Sequence, residues 1–146
     1  MFSKCKFDER QLKIRGDIFK NAFIIIIVLS IIHSFLLDRE IIIAEGMLAS
    51  MLIVILSITA CSIEMILKDV YSTAGTRFDI APYIVGAGSL FLFVNTIIQL
   101  ANGEILFLQN QLTKNGVYLL CEICFASIFI TFMIKKAKNK RNLEKE

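Results

Sequence analysis

The sequence predicts an all-α membrane protein: an antiparallel bundle of four transmembrane helices with both termini in the cytoplasm. Apolar residues make up 56% of the 146 residues, and the mean hydropathy is +0.69. A soluble domain of this length holds about 45–50% apolar residues. The excess is concentrated in four blocks, each about as long as a helix that crosses the hydrocarbon core of a bilayer.

Polar segments of different length separate the four blocks within a transmembrane domain, 21–134. The predicted spans are 21–37, 41–67, 82–101 and 117–134. The tripeptide Asp38-Arg39-Glu40 leaves room only for a tight turn between the first two spans. Pro82 opens the third span, since proline is tolerated in the first turn of a helix. Two structures are possible for residues 105–116: an extension of the third helix, or a segment that lies in the lipid headgroups.

The two ends of the chain are predicted to lie outside the hydrocarbon core. Residues 1–20 are mixed in charge, with an apolar side that predicts a short interfacial helix on the membrane surface. That side is formed by Leu12, Ile14, Ile18 and Phe19. Residues 135–146 read KKAKNKRNLEKE and are expected to form a basic, solvated cytoplasmic tail.

The distribution of basic residues predicts the orientation. Fourteen of the sixteen Lys and Arg residues lie before the first span, after the last span, or in the loop between the second and third spans. The opposite side carries only Arg39 and Lys114. By the positive-inside rule both termini are cytoplasmic. Because the basic clusters flank apolar spans, they indicate membrane orientation and no nucleic-acid binding.

A short motif precedes the first span. Asp8-Glu9-Arg10-Gln11 is followed two residues later by Ile14-Arg15-Gly16. This pattern resembles a family of small four-helix membrane proteins of Gram-positive bacteria that carry an amino-terminal DERQ-x-x-IRG-like motif. The family has no assigned activity. The resemblance therefore implies a bacterial cytoplasmic membrane and a neighbouring regulator as partner, without catalytic residues.

Small and polar residues recur at helical spacing in the second and third spans. They are Gly46, Ser50, Ile53, Ser57, Ala60 and Glu64 in the second, and Gly88, Leu92, Asn95, Gln99 and Asn102 in the third. Steps of three and four place each set on one side of its helix. Small residues let helix backbones approach closely, so we predict a helix-packing seam at Gly46, Ser50, Ser57, Ala60, Gly88 and Asn95. An ion path along the same side is the alternative.

Each span also carries a polar side chain near its outer end, and together these form a candidate intramembrane polar site. The four residues are His33, Glu45, Gln99 and Glu122. With Val117 at the interface, Glu122 lies roughly 8 Å inside the hydrocarbon core. A carboxylate there is expensive, so it is expected to be protonated or paired, for example with His33. Two roles of Glu122 are therefore possible: a structural hydrogen bond, or a proton or cation site.

Cys121 and Cys124 lie one turn apart on the fourth span. The position resembles that in the quinone-linked disulfide-forming enzymes of the vitamin K epoxide reductase type. Those enzymes also need a shuttle cysteine pair in an outer loop, and the outer loops here contain no cysteine. The other cysteines, Cys5 and Cys61, lie at or towards the cytoplasmic side. We therefore expect free thiols that serve as small apolar packing residues.

These observations predict a small integral membrane protein without catalytic activity, an accessory or regulatory partner in the bacterial cytoplasmic membrane. Its expected partners are the lipid bilayer and either a second copy of the chain or a membrane or regulatory protein. No cofactor is expected, and one histidine with two carboxylates does not predict a metal site. The alternatives are an oligomeric transporter or channel subunit that uses Glu122, and a quinone-linked thiol redox protein that uses Cys121 and Cys124.

Overall fold

The computed structural model of the chain describes residues 8–44, 46–71, 80–108 and 111–143. Within these residues it contains four helices and one short hairpin. In chain order they are α1 Glu9–Asp38, α2 Gly46–Leu67, α3 Ala81–Ala101, β1 Phe107–Leu108, β2 Gln111–Leu112 and α4 Lys114–Leu143. All four helices are long and apolar enough to cross a membrane. The all-α class with four candidate spans is therefore confirmed.

The first helix is longer than the sequence predicts. The backbone N–H of Asp8 donates to Oε1 of Gln11 at 3.4 Å at its start, and the helix then continues without a break to Asp38. Instead of a separate short helix, residues 9–20 form the first turns of α1. A single glycine, Gly16, costs only about 1 kcal/mol in a helix and does not end it. Thirty residues span about 45 Å, more than the ~30 Å hydrocarbon core.

The second helix begins later than predicted. The chain turns at Glu40, which has a φ of 59°, and residues 41–44 are not helical. The N–H of Leu112 donates to the carbonyl of Ile43 at 2.8 Å, and Ala44 forms an isolated β-bridge with Leu112. A helical start at residue 41 is therefore wrong. Three consecutive isoleucines, which favour extended backbone, make this segment a partner for a strand.

That strand belongs to a hairpin in the segment that the sequence left open. Phe107 pairs with Leu112 in an antiparallel register, so the segment does not extend α3. Thr113 stabilises the return of the chain, because its hydroxyl donates to the carbonyl of Ile105 at 2.6 Å. At Gly116 an added Cβ would lie 2.5 Å from the carbonyl oxygen of Leu106, so only glycine lets α4 start this close to the hairpin.

Helix α4 lies between α2 and α3, while α1 packs on the other side of α2. One core cluster joins the extended segment, α2 and α4. Its buried members are Ala44, Ala49, Leu52, Val117 and Cys121. A second cluster consists of Ile66, Ile128 and Phe132. It joins α2 and α4 at the end of the bundle away from the first cluster. Among the described side chains of α1 only Ile18 is buried, so α1 is the peripheral helix.

Aromatic packing joins α3 to α4. The ring of Phe129 lies against Gly86, where an added Cβ would be 2.5 Å from Cδ2. Tyr83 contacts Phe132 edge to face, with ring centroids 5.4 Å apart, and its hydroxyl accepts a hydrogen bond from Nζ of Lys136 at 2.6 Å. The missing side chain of Gly86 is therefore what allows the two helices to approach.

The predicted seam on α3 is rotated away from α4. Both Gly88 and Asn95 are exposed, and a Cβ at Gly88 would meet nothing within 4 Å. The buried residues of α3 are Pro82, Gly86, Ser89 and Thr96. Adjacent residues point about 100° apart around a helix, so the packing face is next to the predicted one. The packing role predicted for Gly88 and Asn95 inside the chain is wrong.

One residue of the predicted seam on α2 is buried. Ser57 is 1% exposed, and its hydroxyl donates to the carbonyl of Ile53 at 2.9 Å. Gly46 and Ser50 are exposed and line a cavity beside α1, so they do not form a close helix contact. Ala60 is exposed as well, and its predicted packing role is wrong.

The basic segment after the fourth block continues the helix. Helix α4 extends to Leu143 with Lys140 and Arg141 in its last turn, where positive charge is favourable beside the helix carbonyls. Nζ of Lys135 lies 2.7 Å from Oδ2 of Asp69 and donates to the carbonyl of Leu67 at 2.9 Å. The carboxyl ends of α2 and of the apolar part of α4 are thus joined.

A buried carboxylate site between two helices

Glu122 is the buried carboxylate of the described chain. It is 4% exposed, and its Oε1 accepts a hydrogen bond from Oγ1 of Thr96 at 2.7 Å. Thr96, also 4% exposed, belongs to the buried face of α3, seven residues after Ser89. The hydrogen bond therefore joins α3 and α4 through two side chains that solvent does not reach.

The second carboxyl oxygen has no partner. Oε2 of Glu122 is inaccessible to solvent and makes no hydrogen bond to any part of the chain that the structure describes. Leaving a buried polar atom without a partner costs about 1–3 kcal/mol. Such exceptions are few in folded proteins, and each calls for a physical or functional explanation.

A polar pocket of about 480 Å³ lies at the hairpin end of α3 and α4, and we call it the hairpin pocket. It is lined by Gln99, Gly103, Glu104, Ile105, Thr113, Lys114, Asn115 and Tyr118. Within it the side-chain amide of Asn115 donates to Glu104, and Nζ of Lys114 lies 5.5 Å from the centroid of the Tyr118 ring. It offers amide, hydroxyl and charged groups to solvent.

The hairpin pocket lies one helical turn from the Thr96–Glu122 pair. Gln99 follows Thr96 by three residues on α3, and Tyr118 precedes Glu122 by four residues on α4. These spacings place each pair on the same side of its helix, about 5 Å apart along the axis. Gln99 and Tyr118 are thus the lining residues of the pocket that lie one turn from the buried pair.

His33 does not line the hairpin pocket within the described residues. It lines a cavity of about 480 Å³ with Ser30, Ser34 and Ser50, and also an apolar cavity of about 440 Å³ between α1, α2 and α4. The hydrogen-bond partner of Glu122 is Thr96, so the expected pairing with His33 is wrong.

The structure therefore divides the four predicted site residues. Gln99 lies within one turn of Thr96 and lines the hairpin pocket, whereas His33 lines a cavity that it shares with α2 and with Ile123 and Cys124 of α4. Glu45 lies outside the described residues. Thr96 was missed from the sequence, although Pro82, Gly86, Ser89 and Thr96 recur at steps of four, three and seven, which is the spacing of one helix face.

The described thiols lie among apolar side chains. Cys121 is buried in the core cluster with Ala49, Leu52 and Val117, and Cys124 lines the apolar cavity beside His33. Cys61, Cys121 and Cys124 are free. Cys5 lies outside the described part of the chain. Within residues 8–44, 46–71, 80–108 and 111–143, no group of three or more His, Cys, Asp or Glu residues is placed to hold a metal ion.

Fold and site define an all-α protein whose four apolar helices are compatible with a multi-pass membrane protein, and in which two helices share a buried carboxyl group. Compared with protein-family models, curated proteins and solved structures, the chain matches none. Its function is therefore inferred from its own residues.

Proposed function

We propose that the chain crosses a bacterial cytoplasmic membrane as an antiparallel bundle of four helices, and that it acts without catalysis as an accessory or regulatory partner of another membrane protein. Four candidate spans support insertion. Fourteen of sixteen basic residues on one side favour cytoplasmic termini. The contact between Lys135 and Asp69 agrees with this arrangement, since it places the basic end of α4 beside the carboxyl end of α2.

The proposal of a protein partner is based on the outward face of α3. Asn95 is exposed and makes no hydrogen bond within the described chain, although it lies about 9 Å from the end of the helix. An amide in hydrocarbon gains a hydrogen bond when a second helix covers it. Gly88, two turns earlier on the same face, permits close approach of that helix. We call Gly88, Leu92 and Asn95 the Asn95 face.

Site-specific crosslinking in native membranes tests this proposal. A photoreactive residue replaces Leu92, and covalent adducts are purified through a tag and identified. We expect one membrane protein in stoichiometric yield. Asn95→Leu removes an interhelical hydrogen bond worth about 0.6–1.7 kcal/mol, so association should weaken about three- to eighteenfold.

Asn21→Leu on α1 is the matched control, because it makes the same chemical change at an exposed asparagine away from the Asn95 face. It should leave the adduct unchanged. Equal yields from wild type and Asn95→Leu would refute the Asn95 face as the binding surface. Activity of the purified chain alone on a solute would refute the accessory role.

The unpaired oxygen of Glu122 favours a second candidate, an oligomeric transporter or channel subunit in which this carboxyl group couples ion movement. Proteoliposomes that contain the wild-type chain should then support a proton or cation flux that Glu122→Gln abolishes. Absence of flux from the wild type would end this candidate and leave the accessory role intact.

A further inference from the structure

We propose that Glu122 is a reversible proton-binding site that exchanges protons with the outer aqueous phase through the hairpin pocket. This goes beyond the accessory role and does not require transport. It rests on the proposed topology only for naming the outer side, which is the side opposite the basic carboxyl-terminal tail.

The donor set selects a proton over a metal cation. The buried site presents three oxygen atoms, the two of the Glu122 carboxyl group and Oγ1 of Thr96. Calcium takes six to eight oxygen ligands and magnesium needs near-octahedral coordination, so three oxygens on two helices do not hold either ion. A proton needs one oxygen, and Oε2 is the one without a partner.

Proton binding leaves the interhelical hydrogen bond in place. A hydronium ion in the hairpin pocket supplies the proton, an O–H bond forms at Oε2, and water remains; release is the reverse. In both states the hydroxyl of Thr96 donates to Oε1. Nothing is oxidised or reduced, and the charge of the carboxyl group is the only quantity that changes.

The pocket nearest to Glu122 along α3 and α4 lies towards the hairpin. Towards the hairpin, Gln99 on α3 and Tyr118 on α4 line the pocket one turn from Thr96 and Glu122, so a proton from the pocket has about one helical turn to cross. Towards the tail, the contact of α3 with α4 is aromatic: the Phe129 ring lies on Gly86, and Tyr83 packs edge-on against Phe129 and Phe132. On the tail side the next hydroxyl of the buried face of α3 is that of Ser89, two turns from Thr96, and it donates to the carbonyl of Gly86. The hairpin pocket is therefore the nearer source of a proton.

Few other titratable groups share these surroundings. From α1 there is His33, which lines the apolar cavity with Ile123 and Cys124. On the neighbouring turns of α4 they are Tyr118, Cys121 and Cys124, and in the hairpin pocket Glu104 and Lys114. The described part of α3 contributes only Tyr83, at its tail-side end, and α2 contributes Cys61 and Glu64, in its tail-side half. The described carboxyl groups on the outer side are Asp38, Glu40 and Glu104, and Glu104 is the control because it alone of these lines the hairpin pocket.

Infrared difference spectroscopy of the full chain in sealed proteoliposomes tests the proposal, with the pH on each side set independently. Protease accessibility of the tail reports the orientation of each preparation. We expect a protonated-carboxyl band that grows as the pH falls on the side opposite the tail. Glu122→Gln should remove the band, and Glu104→Gln should keep it.

Thr96→Val tests the proposal even if the Glu122→Gln variant folds poorly. Loss of the hydroxyl donor should shift the band towards that of a carboxyl group without a hydrogen bond. The proposal is overturned by a band that follows the pH on the tail side, by a band of constant intensity at every pH, or by a band that Glu122→Gln leaves in place. Failure to find a protein partner has no bearing on these outcomes, so the two proposals are tested separately.

Discussion

Replacing Gly86 by alanine would place a methyl carbon 2.5 Å from Cδ2 and 2.6 Å from Cγ of Phe129. These distances are shorter than any tolerated contact, so the ring or the helix must move. The ring has little freedom, because Tyr83 packs against it with centroids 6.2 Å apart. Overpacking of this kind costs about 1–3 kcal/mol. The higher helix propensity of alanine returns about 0.5–1 kcal/mol of that.

Gly88→Ala is the matched control, since it makes the same change on the same helix two residues later. A Cβ there meets nothing within 4 Å, so only the propensity gain of about 0.5–1 kcal/mol remains. The two variants should therefore differ by about 2 kcal/mol in the free energy of unfolding, with opposite signs relative to wild type.

Reversible unfolding in mixed micelles, followed by circular dichroism, measures both variants. Phe129→Leu combined with Gly86→Ala should recover part of the loss, because the smaller side chain leaves room for the methyl group. Equal stabilities of Gly86→Ala and Gly88→Ala would refute the contact of α3 with α4 described above.

Three further substitutions test other contacts. Thr96→Val should destabilise the fold by about 1–3 kcal/mol, since Glu122 then loses the one donor that it has among the described residues. Thr59→Val, at a threonine that bonds a carbonyl of its own helix, should cost less in the same unfolding assay. Gly116→Ala should release the hairpin, seen as faster hydrogen exchange of the strand amides. Lys135→Gln should lower the unfolding free energy by less than about 1 kcal/mol, and added salt should reduce the difference, because Asp69 is largely exposed.

Hydropathy predicted the helices well because it is a property of each segment by itself. The third span was placed within one residue: Pro82 fits only the first turn, and Gly103, with a φ of 91°, follows the end of the helix. The prediction of where α2 starts was wrong, because the start depends on pairing with a residue that is distant in the chain. Ile43 pairs with Leu112 across almost seventy residues, and no local pattern contains that strand.

The rotation of each helix about its own axis was the second feature that the sequence did not predict. Spacing on α3 placed Gly88 and Asn95 on one face correctly, but it could not tell which neighbour, if any, that face meets. The chain uses the adjacent face, with Gly86 and Thr96, for its own packing. The position of Glu122 near the hairpin end of α4 followed from counting residues, whereas its partner Thr96 depends on the rotation of two helices together.

The two faces of α3 connect the proposed partner binding at the Asn95 face with the proposed proton binding at Glu122. Asn95 and Thr96 are neighbours in the chain, one directed outward and the other bonded to Glu122. A partner that binds the Asn95 face acts on the helix that carries the donor to Glu122. Any change that it makes in proton affinity must be matched by an equal effect of protonation on partner binding, because coupling between sites is reciprocal.

This coupling is measurable with the same two assays. If it exists, the yield of the adduct at position 92 should depend on the pH of the side opposite the tail, and Glu122→Gln should remove that dependence. Asn95→Leu should lower the yield at every pH while it leaves the carboxyl band of Glu122 in place. A yield that is independent of pH, together with a band that responds to it, would mean that the two faces of α3 act separately.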